Sequence, residues 1–311
     1  MRAYIFILVL LVAFIVSVPA AAGPYSAVVV YGDSLSDNGN LFAATGFPSA
    51  PYFQGRRTDG PVAVEYLAAA LGAPLVDFAW IGATTGIGNF SDGGTPTSFG
   101  AASLPGMLTQ YILSTPQLPS LTDALFVVWG GPNDLLSPSP LDSTPTDIVS
   151  RAIGDELLLI QNLQGLGITH ILAPGMPDLG LSPFFQSLGP AAAAGASAFT
   201  DAFNAGLQAA LPSGVQYVDT ATLLRAIVAN PAAFGFTNAT APCFDGVTVC
   251  SNPDQYLFYD NFHPTTAGHA LLAGQLLAAV PEPSTLLLGA CALGLLGAIR
   301  FRRRGRPELR G

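Results

Sequence analysis

Two short segments of this 311-residue chain hold residue types that can do nucleophilic chemistry together. The first is Gly32-Asp33-Ser34-Leu35-Ser36-Asp37-Asn38-Gly39-Asn40, and the second is Asp260-Asn261-Phe262-His263-Pro264. A serine hydroxyl is a weak nucleophile until an adjacent base takes its proton, and imidazole is the usual base. Asp260 precedes His263 by three residues, so its carboxylate can reach one ring nitrogen within a single loop. That contact fixes the tautomer and stabilises the imidazolium formed when the other nitrogen accepts the serine proton. Ser34 is therefore the candidate nucleophile, His263 the base and Asp260 the acid. His269 and Asp254 are the competing base and acid. His269 lies in an apolar helical stretch, where a structural histidine is expected. Each segment alone is common chance sequence, so the elements that position them decide the matter.

Continuous apolar runs over 27–31 and 125–129 read as strands buried on both faces, and 168–173 and 215–218 read as a third and a fourth strand. Between them, 148–163 and 191–211 read as helices, and Pro264 opens a last helix over 264–279. Asp59-Gly60-Pro61 opens another, which Gly72 closes. Strands alternating with helices predict an α/β fold with a parallel sheet covered on both sides. Ligands bind such sheets beyond the carboxyl ends of the strands. Ser34 stands just past the first of these ends. Gly/Ser/Thr/Pro-rich stretches at 82–106 and 137–146 read as surface loops near that edge.

With this pattern around them, four blocks in order resemble the GDSL, or SGNH-hydrolase, family of esterases and lipases. Their extent covers nearly all of 25–279. They are Gly32 to Asn40, Asp77-Phe78-Ala79-Trp80-Ile81-Gly82-Ala83-Thr84, Trp129-Gly130-Gly131-Pro132-Asn133-Asp134-Leu135, and Asp260 to Thr265. Asp59-Gly60-Pro61 and Met176-Pro177-Asp178-Leu179-Gly180 also fit the plant-lipase-like and bacterial haemolysin branch. The resemblance implies a flavodoxin-like three-layer α/β/α sandwich with a mostly parallel five-stranded sheet. It further implies an oxyanion hole made by the Ser34 N–H, the Gly82 N–H and the Asn133 side-chain amide. In the second block Ile81 stands where a first glycine is usual, and the single Gly82 can still supply the N–H. Asp134 is expected to cap the helix or loop after it. Asp33, Asp37 and Asn40 are expected to organise their loop, and Trp80 and Trp129 to be core or cleft wall. No metal or organic cofactor is implied. The absence of Gly-x-Ser-x-Gly argues against an α/β-hydrolase elbow. Ester hydrolysis through an acyl-serine is the leading expectation. Acyl transfer by the same residues, and a non-catalytic surface protein on a hydrolase scaffold, are the alternatives.

Both ends read as targeting segments around a 23–280 domain. Residues 1–22 hold Arg2, an apolar run over 3–18 and Ala20-Ala21-Ala22, the pattern of a signal peptide cleaved before Gly23. Residues 281–311 hold Pro281-Glu282-Pro283-Ser284, an apolar run over 285–299, and Arg300, Arg302, Arg303, Arg304 and Arg306. This order resembles the PEP-CTERM sorting signal of Gram-negative bacteria. It implies signal peptidase and an exosortase-type protease as export partners, transient membrane association through the tail, and delivery to the envelope, surface or exterior. Between the ends, 4 Arg and 19 acids give 23–283 a formal charge of −15. No basic patch remains, which argues against nucleic acid as a partner. The pair Cys243 and Cys250 brackets an Asp245-Gly246 turn, and in an oxidising compartment it is a candidate disulfide.

Overall fold

The computed structural model describes residues 25–92 and 104–280. The expectations for the signal peptide and for the apolar run and arginines of the tail lie outside the described residues. Strand β1 (Val28–Gly32) is buried at every position, as its unbroken apolar run requires. It pairs with β2 (Leu75–Asp77) on one side and β3 (Leu125–Trp129) on the other. Outward from β3 come β4 (Ile171–Pro174) and β5 (Val215–Val218), giving the order β2-β1-β3-β4-β5 with every pairing parallel. The winding therefore reverses between β1 and β3, and a crevice opens there at the strands' carboxyl ends.

Strand alternation assigns the two faces. Val28 and Val30 pack with Val64, Leu67, Leu272 and Leu276, from helices Ala63–Leu71 and Thr266–Ala279. Val29 and Tyr31 pack with Met107, Leu159, Ile160 and Leu163, from helices Met107–Ser114 and Pro145–Gly165. Each such side chain contributes roughly 1.5–3 kcal/mol by leaving water. The sheet is thus the middle of three layers. Among the described residues, no helix is long and apolar enough to cross a membrane.

Several boundaries differ from expectation for local reasons. The third strand starts at Ile171, because Ile168 N–H still closes the preceding helix on the Leu163 carbonyl at 3.2 Å. Asp59-Gly60-Pro61 opens no helix; that helix begins at Ala63. Asp59 instead accepts the Thr266 N–H at 2.8 Å, at the start of the last helix. The last helix begins at Thr266 with Thr265 as its cap, while Pro264 pairs in extended form with Phe258. The described parts of segment 82–106, which are 82–92 and 104–106, are not merely surface loop, since Thr84, Thr85, Asn89, Asp92 and Leu104 are buried. Asn89 holds it inward by donating to the Ile81 and Pro105 carbonyls. The three-residue β2, and a small parallel pair of β6 (Asn238–Pro242) with β7 (Tyr256–Phe258), have no strand counterpart in the sequence reading.

Helix Pro145–Gly165 also buries the Glu156 carboxyl, with no hydrogen-bond partner on either oxygen among the described residues. Burial, then the neighbouring Asp134 and Asp33 carboxylates, pushes it well above its ordinary 4.5. Because the folded value is raised, the unfolded chain releases this proton first, and stability falls as pH rises through 4.5. Glu156→Gln removes that titration. Its melting temperature relative to the parent should therefore climb between about pH 5 and about pH 8 in calorimetry. A difference independent of pH would contradict this account.

Candidate active site

The nucleophile turn is fixed where β1 ends. Gln110 grips both sides of the Gly32 peptide, accepting its N–H at 3.1 Å and donating to its carbonyl at 2.8 Å. The Asp33 carbonyl then accepts the N–H groups of Ser36 and Asp37 at 3.1 and 2.9 Å, folding the chain tightly around Ser34. Asp37 is the organiser. One oxygen accepts from Gly39 and Asn40 at 2.7 and 2.6 Å, and the other from Leu41 and Ile81 at 3.2 and 2.8 Å. The last of these ties the Ser34 turn to the segment carrying Gly82. Asn40 reinforces the tie by donating to the Asp77 and Ala79 carbonyls.

The base arrives from the other end of the chain. The loop from Phe258 to Pro264 is closed by Tyr259 N–H to the His263 carbonyl at 2.8 Å and by the Phe258–Pro264 bridge. Inside it, His263 Nδ1 lies 2.8 and 2.9 Å from the two Asp260 oxygens, and Nε2 lies 2.8 Å from Ser34 Oγ. A carboxylate can only accept, so Nδ1 carries the proton and Nε2 is free to accept from the hydroxyl. Asp260 Oδ1 also accepts the N–H groups of Phe262 and His263, each at 2.8 Å. Tyr52 donates its hydroxyl to Oδ2 at 2.9 Å. Burial pushes the Asp260 carboxyl up, but the His263 charge and these hydrogen bonds outweigh it and bring it down to about 2.

The residues expected to give the oxyanion donors, Gly82 and Asn133, line the same cleft as Ser34. Gly82 has φ +83°, and a Cβ there would sit 2.4 Å from Asn89 Oδ1 and 2.5 Å from Ser91 Oγ, so only glycine fits. Among the described residues, the Ser34 and Gly82 N–H groups have no protein acceptor. Asn133 Nδ2 donates to the Ala83 carbonyl at 3.0 Å and lies only 3.4 Å from Asp33 Oδ2. One amide hydrogen thus anchors the side chain, and the other makes a long contact that a better acceptor can displace. Ser34, Gly82, Asn133, Asp260 and His263 line one cleft of about 330 Å³. Asp33, the residue before the serine, is pushed by burial up to about 7.

Residues 28–276 match the family described as GDSL-like Lipase/Acylhydrolase. The chain belongs to this GDSL family. Residues 279–304 match the PEP-CTERM protein-sorting motif, so a GDSL domain is followed by a sorting tail. The chain is 29% identical to Esterase EstA of Pseudomonas aeruginosa, over 90% of this chain and 50% of that protein. It is 27% identical to GDSL esterase/lipase At1g71691 of Arabidopsis thaliana, over 81% of each. The chain spans about half the length of the EstA proteins it matches. Among solved structures it is similar to a Corynascus thermopiles carbohydrate esterase family 2 enzyme, with 22% identity and a TM-score of 0.49. That match covers 87% of this chain and 69% of that one.

In this GDSL domain the competing candidates fall away from the cleft. His269 is buried, accepts the Ala63 N–H at 3.3 Å on Nδ1, and is brought down to about 3 by burial and the His263 charge. Asp254 is exposed in a short turn, and His170 stands edge-on to Tyr25. Trp129 is core, donating to the Gly175 carbonyl at 3.1 Å, and Trp80 is partly buried against the core, beside Leu41, Ile81 and Leu104. Asp134 differs from expectation. Rather than capping a neighbouring element, it is fully buried, accepts from Thr85 N–H and Oγ1–H, and pairs with Arg151 at 2.8 Å. A cap at that position would leave the Thr85 donors unmet inside the protein. Tyr52 and Arg57, both lining the cleft, were not found from sequence. Tyr52 meets its partner across 208 residues, a separation that leaves no local signal.

Proposed function

We propose that the protein hydrolyses carboxylic esters through an acyl-Ser34 intermediate. The observation that carries this reading is the unbroken line from Asp260 through His263 to Ser34 Oγ, with both ring nitrogens within 2.9 Å of their partners. His263 Nε2 takes the hydroxyl proton as Ser34 attacks the carbonyl, and Asp260 stabilises the resulting imidazolium. The carbonyl oxygen, now negative, turns into the N–H groups of Ser34 and Gly82 and the Asn133 amide. His263 returns its proton to the leaving alcohol, then activates water to release the acid. Labelling by a fluorophosphonate probe, mapped to Ser34 by peptide mass, tests the assignment. An unlabelled Ser34 in folded protein would sink it.

Asn133 gives the next expectation. Asn133→Ala removes a donor whose anchor on Ala83 preorganises it, so kcat should fall on the order of 10²–10³. KM should hardly move, because the ground-state carbonyl needs that donor little. A large rise in KM with kcat kept would assign Asn133 to binding instead.

The cleft wall is largely apolar, with Leu35, Ile81, Phe90, Leu179, Phe244 and Phe262. This supports an acyl chain as the buried portion of the substrate, and rates across C2 to C16 p-nitrophenyl esters measure its length. Part of the wall hangs on the Cys243–Cys250 disulfide, which closes the loop bearing Phe244, Asp245 and Gly246. Closing so short a loop contributes roughly 2 kcal/mol. A Cys243→Ser/Cys250→Ser variant should melt several degrees lower and show a raised KM with kcat largely kept; unchanged KM would detach that loop from substrate binding.

Export through a cleaved signal peptide, and an exosortase-type protease acting on the tail, complete the reading. The sorting motif at 279–304 supports it. Deleting 281–311 should change the fraction of enzyme reaching the surface or medium without changing kcat.

A further inference from the structure

Between its two ends the chain carries 19 acids and 4 arginines, so an arginine there seldom lacks a carboxylate. Three of the four have one. Arg56 grips both Glu65 oxygens at 2.8 and 2.6 Å. Arg151 meets Asp134, Asp142 and Asp155, and Arg225 meets Asp178 and Asp201. Arg57 is the exception, and it lines the cleft that holds Ser34 and His263. Among the described residues it forms no ion pair. Its one hydrogen bond among them is a long one, Nη1 donating to Tyr52 Oη at 3.3 Å. Its guanidinium lies 5.1 Å from the Tyr52 ring centre, and its Nε is buried with no partner among the described residues.

A partly buried cation without a counter-ion is costly. It is kept here although carboxylates abound, and kept where substrate must pass. The nearby carboxylates are otherwise engaged. Asp260 is held by His263 and Tyr52, Asp178 by Arg225, and Asp33 by the Leu35 N–H. Asp245 accepts the Val247 and Thr248 N–H groups from an exposed position. Arginine only donates, so Tyr52 Oη accepts from Arg57 and sends its own proton to Asp260. The guanidinium is thereby held three hydrogen bonds from the His263 ring, with its second amino arm uncommitted. A planar fork of N–H groups matches the oxygens of phosphate and carboxylate.

We propose that Arg57 forms an anion subsite in this cleft, selecting esters whose alcohol or acyl portion bears a phosphate or carboxylate group. The proposal rests on the ester-hydrolase reading of Ser34. It is tested with two matched pairs: a soluble short-chain diacylglycerophosphate against the diacylglycerol, and an acetylated methyl glucuronide against the acetylated methyl glucoside. The parent protein should prefer the anionic member of at least one pair, and the pair that responds tells phosphate from carboxylate. Arg57→Gln should lower that anionic-to-neutral ratio of kcat/KM about tenfold or more, with Arg57→Lys retaining part of it. Raising salt to about 0.5 M should lower the parent's ratio without any substitution. Equal losses on both members in Arg57→Gln, leaving Arg57 only to steady Tyr52, would overturn the subsite, as would a parent ratio near one in both pairs. Neither result touches ester hydrolysis itself. Absence of activity on every ester, p-nitrophenyl butyrate included, would instead remove the reading beneath it.

Discussion

Ser34→Ala is expected to lower kcat/KM on p-nitrophenyl butyrate by about 10⁴–10⁶ while leaving the melting temperature within a degree or two. The two halves of that expectation have separate causes. The rate falls because, among the described residues, no other hydroxyl reaches His263 Nε2, whose partner there is Ser34 Oγ at 2.8 Å. A triad acts as a unit, so deleting its nucleophile forfeits nearly all that the three groups do together. What survives is water attack assisted by the oxyanion donors. Stability is kept because the lost hydroxyl lies at the cleft. There water can meet the freed imidazole nitrogen, so the usual penalty of roughly 1–3 kcal/mol for a buried unmet group does not apply. The turn itself depends on backbone bonds and on Asp37 and Gln110, none of which involve Ser34 Oγ. The measurement is a paired assay and thermal melt. A folded variant within tenfold of the parent would remove Ser34 from the mechanism.

The sequence made the sheet and its edge legible because β1 and β3 are buried on both faces, and two-sided burial writes itself as an unbroken apolar run. It could not show β2, which has three residues and owes its place to pairing with Val28 to Val30. The site divides in the same way. Ser34, Asp260 and His263 sit in short segments whose residue types and spacing carry the chemistry. Gly82 and Asn133 came through the family resemblance, and the physical reasons for them emerge only in three dimensions. For Gly82 the reason is a positive φ against Asn89 and Ser91; for Asn133 it is an anchor on a carbonyl fifty residues away. An acid behind Pro132 and Asn133 reads as a cap, whereas Thr85 and Arg151, distant in sequence, claim Asp134. Tyr52 and Arg57 lie in a stretch with no periodicity to read. Their roles exist only once residues 52 and 260 are in contact.

Asp260→Asn should cost kcat on the order of 10³–10⁴ near pH 8, through a tautomer rather than a lost shape. Asp260 Oδ1 accepts two backbone N–H groups, from Phe262 and His263. In the variant the amide oxygen must stay there, since an NH₂ facing those donors would leave all of them unmet. The NH₂ then takes the place of Oδ2, 2.9 Å from His263 Nδ1 and 2.9 Å from the Tyr52 hydroxyl. The retained amide oxygen, 2.8 Å from Nδ1, is neutral and already shared with two backbone donors, while the NH₂ competes for the imidazole that accepts at Nδ1 and carries its proton on Nε2. That nitrogen can no longer receive the Ser34 proton. Asp260→Ala lacks the misdirecting donor, so its kcat should exceed that of the isosteric Asn variant. A purely steric role predicts the reverse order. The acid limb offers an independent check. The Asp260 value is depressed to about 2 in the folded state from its ordinary 3.8, so its contribution to stability is present above 3.8 and lost as pH falls through about 2. Asp260→Asn should therefore melt below the parent near pH 5, and the gap should close toward pH 2. If the Asn variant matches the parent in rate near pH 8, Asp260 neither orients nor charges the base, and His263 must draw its tautomer from elsewhere.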